Sequence, residues 1–111
     1  MQIPTFVGSL FDLDKAAKSD TYCDEIQGIC TDAGVAITEL STHLQGQLVA
    51  VNPAYDTAFD VFAPAHLHDN PADRQEWAVD QMKKAAVVSK KLGLTASVSF
   101  TGSLAFPYLY P

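Results

Sequence analysis

Two helical patterns, each ended by a glycine and followed at once by an apolar run, most constrain how this 111-residue chain can fold. The first pattern covers residues 20–33 and precedes a strand-like run over residues 35–42. The second covers residues 70–92 and precedes the run LTASVSF over residues 94–100. Strands that alternate with helices pair in parallel through crossover connections. The pattern therefore predicts an α/β fold with a parallel sheet.

Capping residues at the helix starts support these bounds. Ser19 or Asp20 can cap the first helix, whose apolar residues recur on one face. Asn70 and Pro71 suit the N-cap and first position of the second helix, and Asp73 lies near the positive end of its dipole. A further turn of helix is predicted over residues 14–17.

The remaining segments are predicted to be a strand end and loops. Residues 1–7 read as the end of a strand, because Pro4 argues against a continuing central strand. Residues 48–70 are longer than the usual connection of about 2–6 residues, and their aromatic side chains predict a packed loop. Residues 101–103 turn the chain, and residues 104–111 form an apolar, aromatic tail interrupted by proline.

The charge balance argues against two classes of partner. The net charge is -6, from 7 basic and 13 acidic residues, whereas nucleic acids and anionic membranes attract clustered Lys and Arg. No apolar run approaches the roughly 20 residues of a membrane span, and the N-terminus lacks the basic and apolar regions of a secretory signal. We expect a cytoplasmic protein with no nucleic-acid or membrane partner.

The two cysteines are predicted to be free thiols. Cys23 and Cys30 are seven positions apart in the first helical pattern. Their Cα atoms would lie roughly 10 Å apart, which is too far for a disulfide. Buried thiols in a reducing compartment are the favoured interpretation.

His43 is the strongest single candidate for function. It follows the predicted strand over residues 35–42 and stands near Thr42, Gln45 and Gln47. Functional side chains commonly lie at the carboxyl ends of parallel strands. An imidazole there can contact a sugar hydroxyl or a carbonyl, or transfer a proton. The alternative is a structural histidine held by hydrogen bonds.

Two other pairs allow chemistry but favour simpler interpretations. His66 and His68 could chelate a metal from an extended segment, yet structural sites generally need three or four ligands, so exposed loop residues are favoured. Asp56 and Asp60 could form an acid/base pair, but solvated loop carboxylates are favoured. Dinucleotide, P-loop, hydrolase-elbow and zincin motifs do not occur.

Three stretches carry a family resemblance: STHLQGQLVAVNPAYD over residues 41–56, NPADRQEWAVDQMKKAA over residues 70–86 and TGSLAFPYLYP over residues 101–111. They resemble bacterial sugar phosphate isomerase/epimerase proteins of the xylose isomerase-like TIM-barrel superfamily. Such proteins usually have His at the position of Asn52 and Trp at the position of Phe106. The resemblance extends over nearly the whole chain.

The resemblance implies that residues 1–111 are the N-terminal part of a single (β/α)₈ TIM-barrel domain, with about three of its parallel strands and two of its helices. In the intact family, a divalent metal such as Mn or Mg would assist proton transfer next to a sugar carbonyl. Its ligands would come from later strands. This chain would hold no metal, cofactor or catalytic residue of its own, and we expect it to be inactive alone.

The resemblance also implies where substrate would bind. A sugar or sugar phosphate would contact the rim formed by Gln2, His43, Gln45, Thr101 and the aromatic segment up to Tyr110, with His43 as the best candidate. Two alternatives stay open. The chain could be a non-catalytic α/β protein that self-associates through open sheet edges or binds a partner. It could also be a half-barrel that complements another fragment.

Overall fold

The computed structural model describes residues 1–109 and has an α/β fold with a three-stranded sheet in the order β1-β2-β3, both pairs parallel. The strands are β1 (Gln2–Pro4), β2 (Glu39–Ser41) and β3 (Ala96–Val98). The helices are α1 (Leu13–Lys18), α2 (Asp20–Asp32), α3 (His43–Gly46), α4 (Asp56–Phe59), α5 (Pro71–Lys91) and α6 (Phe106–Leu109). Both crossovers contain a long helix, α2 before β2 and α5 before β3, as the sequence predicts.

Local hydrogen bonds fix the starts of these two long helices. The Ser19 hydroxyl accepts from the backbone N–H of Tyr22 at 3.2 Å and begins α2. The Asn70 side chain accepts from the N–H of Asp73 at 3.4 Å and begins α5. Gly93 follows α5 with a φ of 68°, a left-handed conformation that favours glycine. The predicted helix bounds are confirmed because these signals are local in sequence.

The strands are shorter than predicted. The sequence suggested residues 35–42 and 94–100, whereas β2 and β3 are three residues each. Before β2, the amine of Met1 donates to the carbonyl of Ala36, and the N–H of Thr38 donates to the carbonyl of Met1. The strand pairing of β2 with β1 begins only at Gln2 and Glu39. Strand length depends on the pairing partner, which an apolar run does not reveal.

The two faces of the sheet differ in what covers them. Ile3 and Leu40 share one register row and face the helices, and both are buried. The neighbouring row places Gln2, Glu39 and Ala96 on the opposite face, where Gln2 and Ala96 are exposed and Glu39 is half-buried. The helical layer therefore covers one face only.

The main core lies between that covered face and helices α1, α2 and α5. Its buried residues come from all of these elements: Ile3, Phe11, Leu13, Ala16, Cys23, Leu40, Ala85, Val88 and Leu92. The inner face of α5 is partly polar, because Arg74, Gln81 and Val88 are buried, whereas the apolar Ala86 is exposed. Two of those three are polar side chains that hydrogen bond to other segments.

The connection between β2 and α5 is packed, as predicted, but it is not irregular throughout. Besides α3 and α4 it contains four single turns of 3₁₀ helix, Gln47–Val49, Pro53–Tyr55, Asp60–Phe62 and Ala65–Leu67. A second buried cluster of Leu48, Ala63, Leu67 and Ala78 holds it against α5.

The overall dimensions are larger than those of a compact chain of this length. The radius of gyration is 15.1 Å, whereas a compact chain of this length has about 13 Å. The accessible surface is 6630 Å², against about 6000 Å² expected for a compact protein of this mass. The principal extents of 46 × 28 × 19 Å describe a flat slab rather than a sphere.

Cys23 and Cys30 are both free and buried, as predicted. Burial raises the pKa of the Cys23 thiol above its ordinary value. Among the helices of residues 1–109, none combines the length and apolar character that crossing a bilayer requires.

Candidate functional site

Backbone hydrogen bonds bring the carboxyl ends of the three strands together. The N–H of Thr5 donates to the carbonyl of Ser41 at 3.0 Å, and the N–H of Thr42 donates to the carbonyl of Val98 at 2.9 Å. The residues that follow each strand therefore meet along one edge of the sheet, which we call the carboxyl edge. In parallel α/β folds, this is the edge where ligands bind.

His43 lies at this carboxyl edge, as the first residue of α3. Its Nδ1 atom hydrogen bonds the hydroxyl of Ser41, and its ring meets the edge of Phe100 with centroids 4.6 Å apart. Within residues 1–109, its Nε2 atom has no hydrogen-bond partner. The half-buried imidazole is thus fixed through one nitrogen and offers the other, as donor or acceptor according to tautomer.

Two glycines allow the segment after β2 to approach the segment after β3. A Cβ at Gly46 would collide with the carbonyl oxygen of Phe100 and the hydroxyl of Ser99. Gly46 is itself helical, so this position requires glycine for the space it leaves and not for its backbone angles. Gly102 has a φ of 71°, and a Cβ there would meet the carbonyl oxygens of Gln47 and Ala50.

A cavity of about 430 Å³ lies between these two segments and is open to solvent. Its apolar wall is aromatic and consists of Tyr55, Phe59, Phe100 and Phe106. Its polar groups are neutral and come from Gln47, Asn52, Ser99, Thr101 and Ser103. A mostly apolar cavity with a few polar groups is typical of small-molecule sites. Phe100 joins the cavity to His43, since its ring contacts the imidazole.

Asn52 and Phe106, the two positions at which the chain differs from the family it resembles, both line this cavity. Asn52 donates from Nδ2 to the carbonyl of Leu104 at 2.8 Å and accepts from the N–H of Ala54 at 3.0 Å. The Phe106 ring meets Tyr55 and Phe59 edge-on, with centroids 5.1 and 5.7 Å away. Asn52 therefore links the segment after β2 to the segment after β3 by a hydrogen bond. Phe106 belongs to the aromatic wall of the cavity.

The other predicted substrate contacts are placed differently. Thr101 is exposed and lines the cavity. Gln45 is 1% exposed, and its Nε2 donates to the carbonyl of Thr5 at 2.7 Å, so it ties α3 to the end of β1. Gln2 is exposed at the opposite end of β1 from the carboxyl edge. Of the predicted contacts, Thr101 thus lies near His43, because its neighbour Phe100 packs against the imidazole. Gln2 lies at the other edge of the sheet. Tyr110, at the end of the predicted rim, lies outside the described residues.

An ion-pair cluster that sequence reasoning missed holds the aromatic wall in place. Arg74 on α5 is buried, and it donates to Asp60 at 2.6 Å and to the carbonyl of Asp56 at 2.7 Å. It also pairs with the Asp56 carboxylate. The interpretation of Asp56 and Asp60 as solvated loop acids is wrong. These acids flank Tyr55 and Phe59, so the ion pairs position both rings.

The pKa of the Asp60 carboxyl is lowered from its ordinary value. The main cause is the backbone N–H of Asp69, which donates to Asp60 at 2.9 Å, and the Arg74 guanidinium adds to it. Both interactions favour the charged form and outweigh the opposing effect of burial. Asp60 therefore acts as a permanently charged anchor rather than a proton donor at neutral pH.

The histidine pair does not form a metal site in the part of the chain described. His66 and His68 are exposed, as predicted, and the Nε2 of His68 lies 3.2 Å from the carbonyl oxygen of Ala63. Across residues 1–109, no three His, Cys, Asp or Glu side chains come together as a metal-binding group would require. The described residues therefore supply no ligand set for the divalent metal that the family resemblance implies, whose ligands would come from later strands.

No protein-family model matches this sequence, and no curated protein matches it. The family resemblance therefore rests on the three stretches over residues 41–56, 70–86 and 101–111. The first and third of these stretches supply most of the cavity lining, whereas Phe59, Ser99 and Phe100 lie outside them.

Proposed function

We propose that this chain is the substrate-binding part of a sugar isomerase or epimerase, built on the first three strands of a xylose isomerase-like TIM barrel. The parallel order β1-β2-β3 with crossover helices on one face is compatible with such a part of a barrel. The uncovered face would then be the barrel interior. The function of the intact protein would be proton transfer next to a sugar carbonyl.

One observation carries the proposal: His43 packs against Phe100, and Phe100 forms the wall of a cavity at the carboxyl edge. Aromatic rings suit the C–H face of a sugar, and hydroxyl and amide groups suit its oxygens. His43 would direct its Nε2 atom toward a ligand oxygen. The described residues supply no metal-binding group, so the chain alone is expected to bind sugar without converting it.

Saturation-transfer NMR with D-fructose tests the proposal. Irradiation of the aromatic protons of the chain is expected to transfer saturation to the sugar C–H protons, because the sugar face would lie on the cavity wall. Phe106→Leu should reduce that transfer several-fold. Phe6→Leu is the matched control, since Phe6 is 40% exposed and lies outside this cavity.

Two results would count against this function. Equal loss of transfer in both variants would place the contact outside the cavity. Deuterium incorporation next to the sugar carbonyl, catalysed in D₂O by the wild-type chain, would contradict the expectation that this chain is inactive alone.

A second candidate, a self-associating binding protein, is favoured by the exposure of β3. All three residues of this strand are exposed, including the apolar Val98. Phe100 and Leu104 beyond the strand are also 55% and 63% exposed. Exposed strand edges with apolar side chains promote pairing between chains.

Sedimentation velocity over a range of protein concentrations tests this candidate. We expect a defined oligomer that Val98→Lys dissociates. Val87→Lys is the matched control, because Val87 is 48% exposed on α5, away from the sheet edge. A chain that stays monomeric at every concentration would exclude self-association as its function.

A further inference from the structure

The cavity at the carboxyl edge has no charged side chain in its lining, as far as residues 1–109 define it. Its polar groups are the amides of Gln47 and Asn52 and the hydroxyls of Ser99, Thr101 and Ser103. Amides and hydroxyls both donate and accept hydrogen bonds, which matches the groups of a polyhydroxy ligand. They provide no full positive charge to neutralise an anion.

The basic residues of the chain all lie elsewhere. Of the 7 Lys and Arg residues, Lys15 and Lys18 are on α1 and the other five are on α5. Arg74 forms ion pairs with the carboxylates of Asp56 and Asp60, and Lys91 pairs with Asp20 at 2.7 Å. Lys84 pairs with Asp14 and Asp80 at 2.7 and 2.6 Å. The cations therefore occupy the helical layer and not the cavity.

The amino ends of the long helices give no substitute for a cation. Ser19 and Asn70 cap α2 and α5 with their own side chains. Each helix also has an acid in its first turn, Asp20 in α2 and Asp73 in α5. One backbone N–H at each helix start is thus occupied by the capping side chain, and the acid in the first turn opposes a phosphate there.

We infer that the cavity takes an uncharged sugar or polyol and discriminates against the corresponding phosphate ester. A phosphate dianion needs charge-assisted donors to offset its lost hydration, and this lining has none. The net charge of -6 adds repulsion. This inference rests on the proposed function and adds the substrate class to it.

Isothermal titration of the 111-residue chain with D-fructose and with a monophosphate ester of D-fructose tests the inference. We expect the free sugar to bind about tenfold more tightly than the ester, as one charged hydrogen bond decides such ratios. An ester that binds as tightly as the sugar would overturn the inference and leave the proposed function intact. Binding of neither compound would overturn both.

A charge-gain variant localises the discrimination to the cavity. Thr101→Lys adds a cation to the lining and should lower the sugar-to-ester affinity ratio about tenfold. Thr21→Lys adds the same charge on the exposed surface of α2 and should leave the ratio at the wild-type value. An equal change in both variants would mean that overall charge, rather than the cavity, sets the preference, and would overturn the inference.

Discussion

The nine strand residues divide between the two faces of the sheet, yet only one face is a core. On the helix-covered face, Ile3 is 7% exposed and Leu40 is fully buried. On the open face, Val98 is 38% exposed. The helices therefore bury one face of the sheet and supply its core, whereas the other face stays exposed in the part of the chain that the structure describes.

The largest expected effect tests the ion pairs that hold the segment around Asp56 and Asp60 against α5. Arg74→Met leaves Asp60 charged and buried without its partner, so we expect a loss of about 3–5 kcal/mol in the free energy of unfolding, measured with urea. Lys84→Met removes two partly exposed ion pairs, with Asp14 and Asp80, and should cost about 0–1 kcal/mol. Equal losses would mean that Arg74 does not anchor the segment around Asp60.

A pair of truncations compares the two faces directly. Leu40→Ala opens a cavity beneath the helices and should cost about 2–5 kcal/mol of unfolding free energy. Val98→Ala removes methyl groups from the open face and should change stability by no more than about 0.5 kcal/mol. Urea unfolding of both variants gives the comparison. A costly Val98→Ala would show that the open face is covered in solution.

The close approach of α3 to the end of β3 is expected to have a smaller effect. Gly46→Ala places a methyl group against the Phe100 carbonyl and should cost about 1–3 kcal/mol, measured as a lower urea midpoint. Gly28→Ala in α2 meets nothing within 4 Å and should stabilise the chain by up to about 1 kcal/mol. Stabilisation by both substitutions would contradict the described contact between α3 and Phe100.

How far the sequence predicted this molecule depends on how local each signal is. The caps at Ser19 and Asn70 fixed the helix starts within a few residues. The Arg74 cluster was missed because its members are 14 and 18 positions apart. An arginine on the inner face of α5, together with two acids four positions apart, was the available signal.

For the candidate site, too, the sequence predicted only the features that depend on local signals. His43 could be selected because it follows a strand, and Thr101 because it follows the next strand. The buried position of Gln45 and the neutral lining of the cavity depend on tertiary contacts between segments about 40 to 55 residues apart, which local patterns do not encode.

The smallest expected effect is on the pH dependence of stability. The pKa of Asp60 is lowered from its ordinary value of 3.8, so its contribution is present above the unfolded pKa and is lost as pH falls through the folded one. Stability should therefore decline below about pH 4. Asp60→Asn should flatten this decline in acid unfolding curves. An unchanged slope would assign the decline to other carboxylates.

Amide chemical shifts of the isotope-labelled chain, followed during titration with D-fructose, test the binding site most directly. We expect saturable shifts at Thr101, Gly102 and Ser103 and in the segment from Ala50 to Tyr55, together with a shift of the His43 ring signals. The amides of α2 should stay unchanged. Shifts confined to α2 and β1, or none at saturating sugar, would contradict a sugar site at the carboxyl edge.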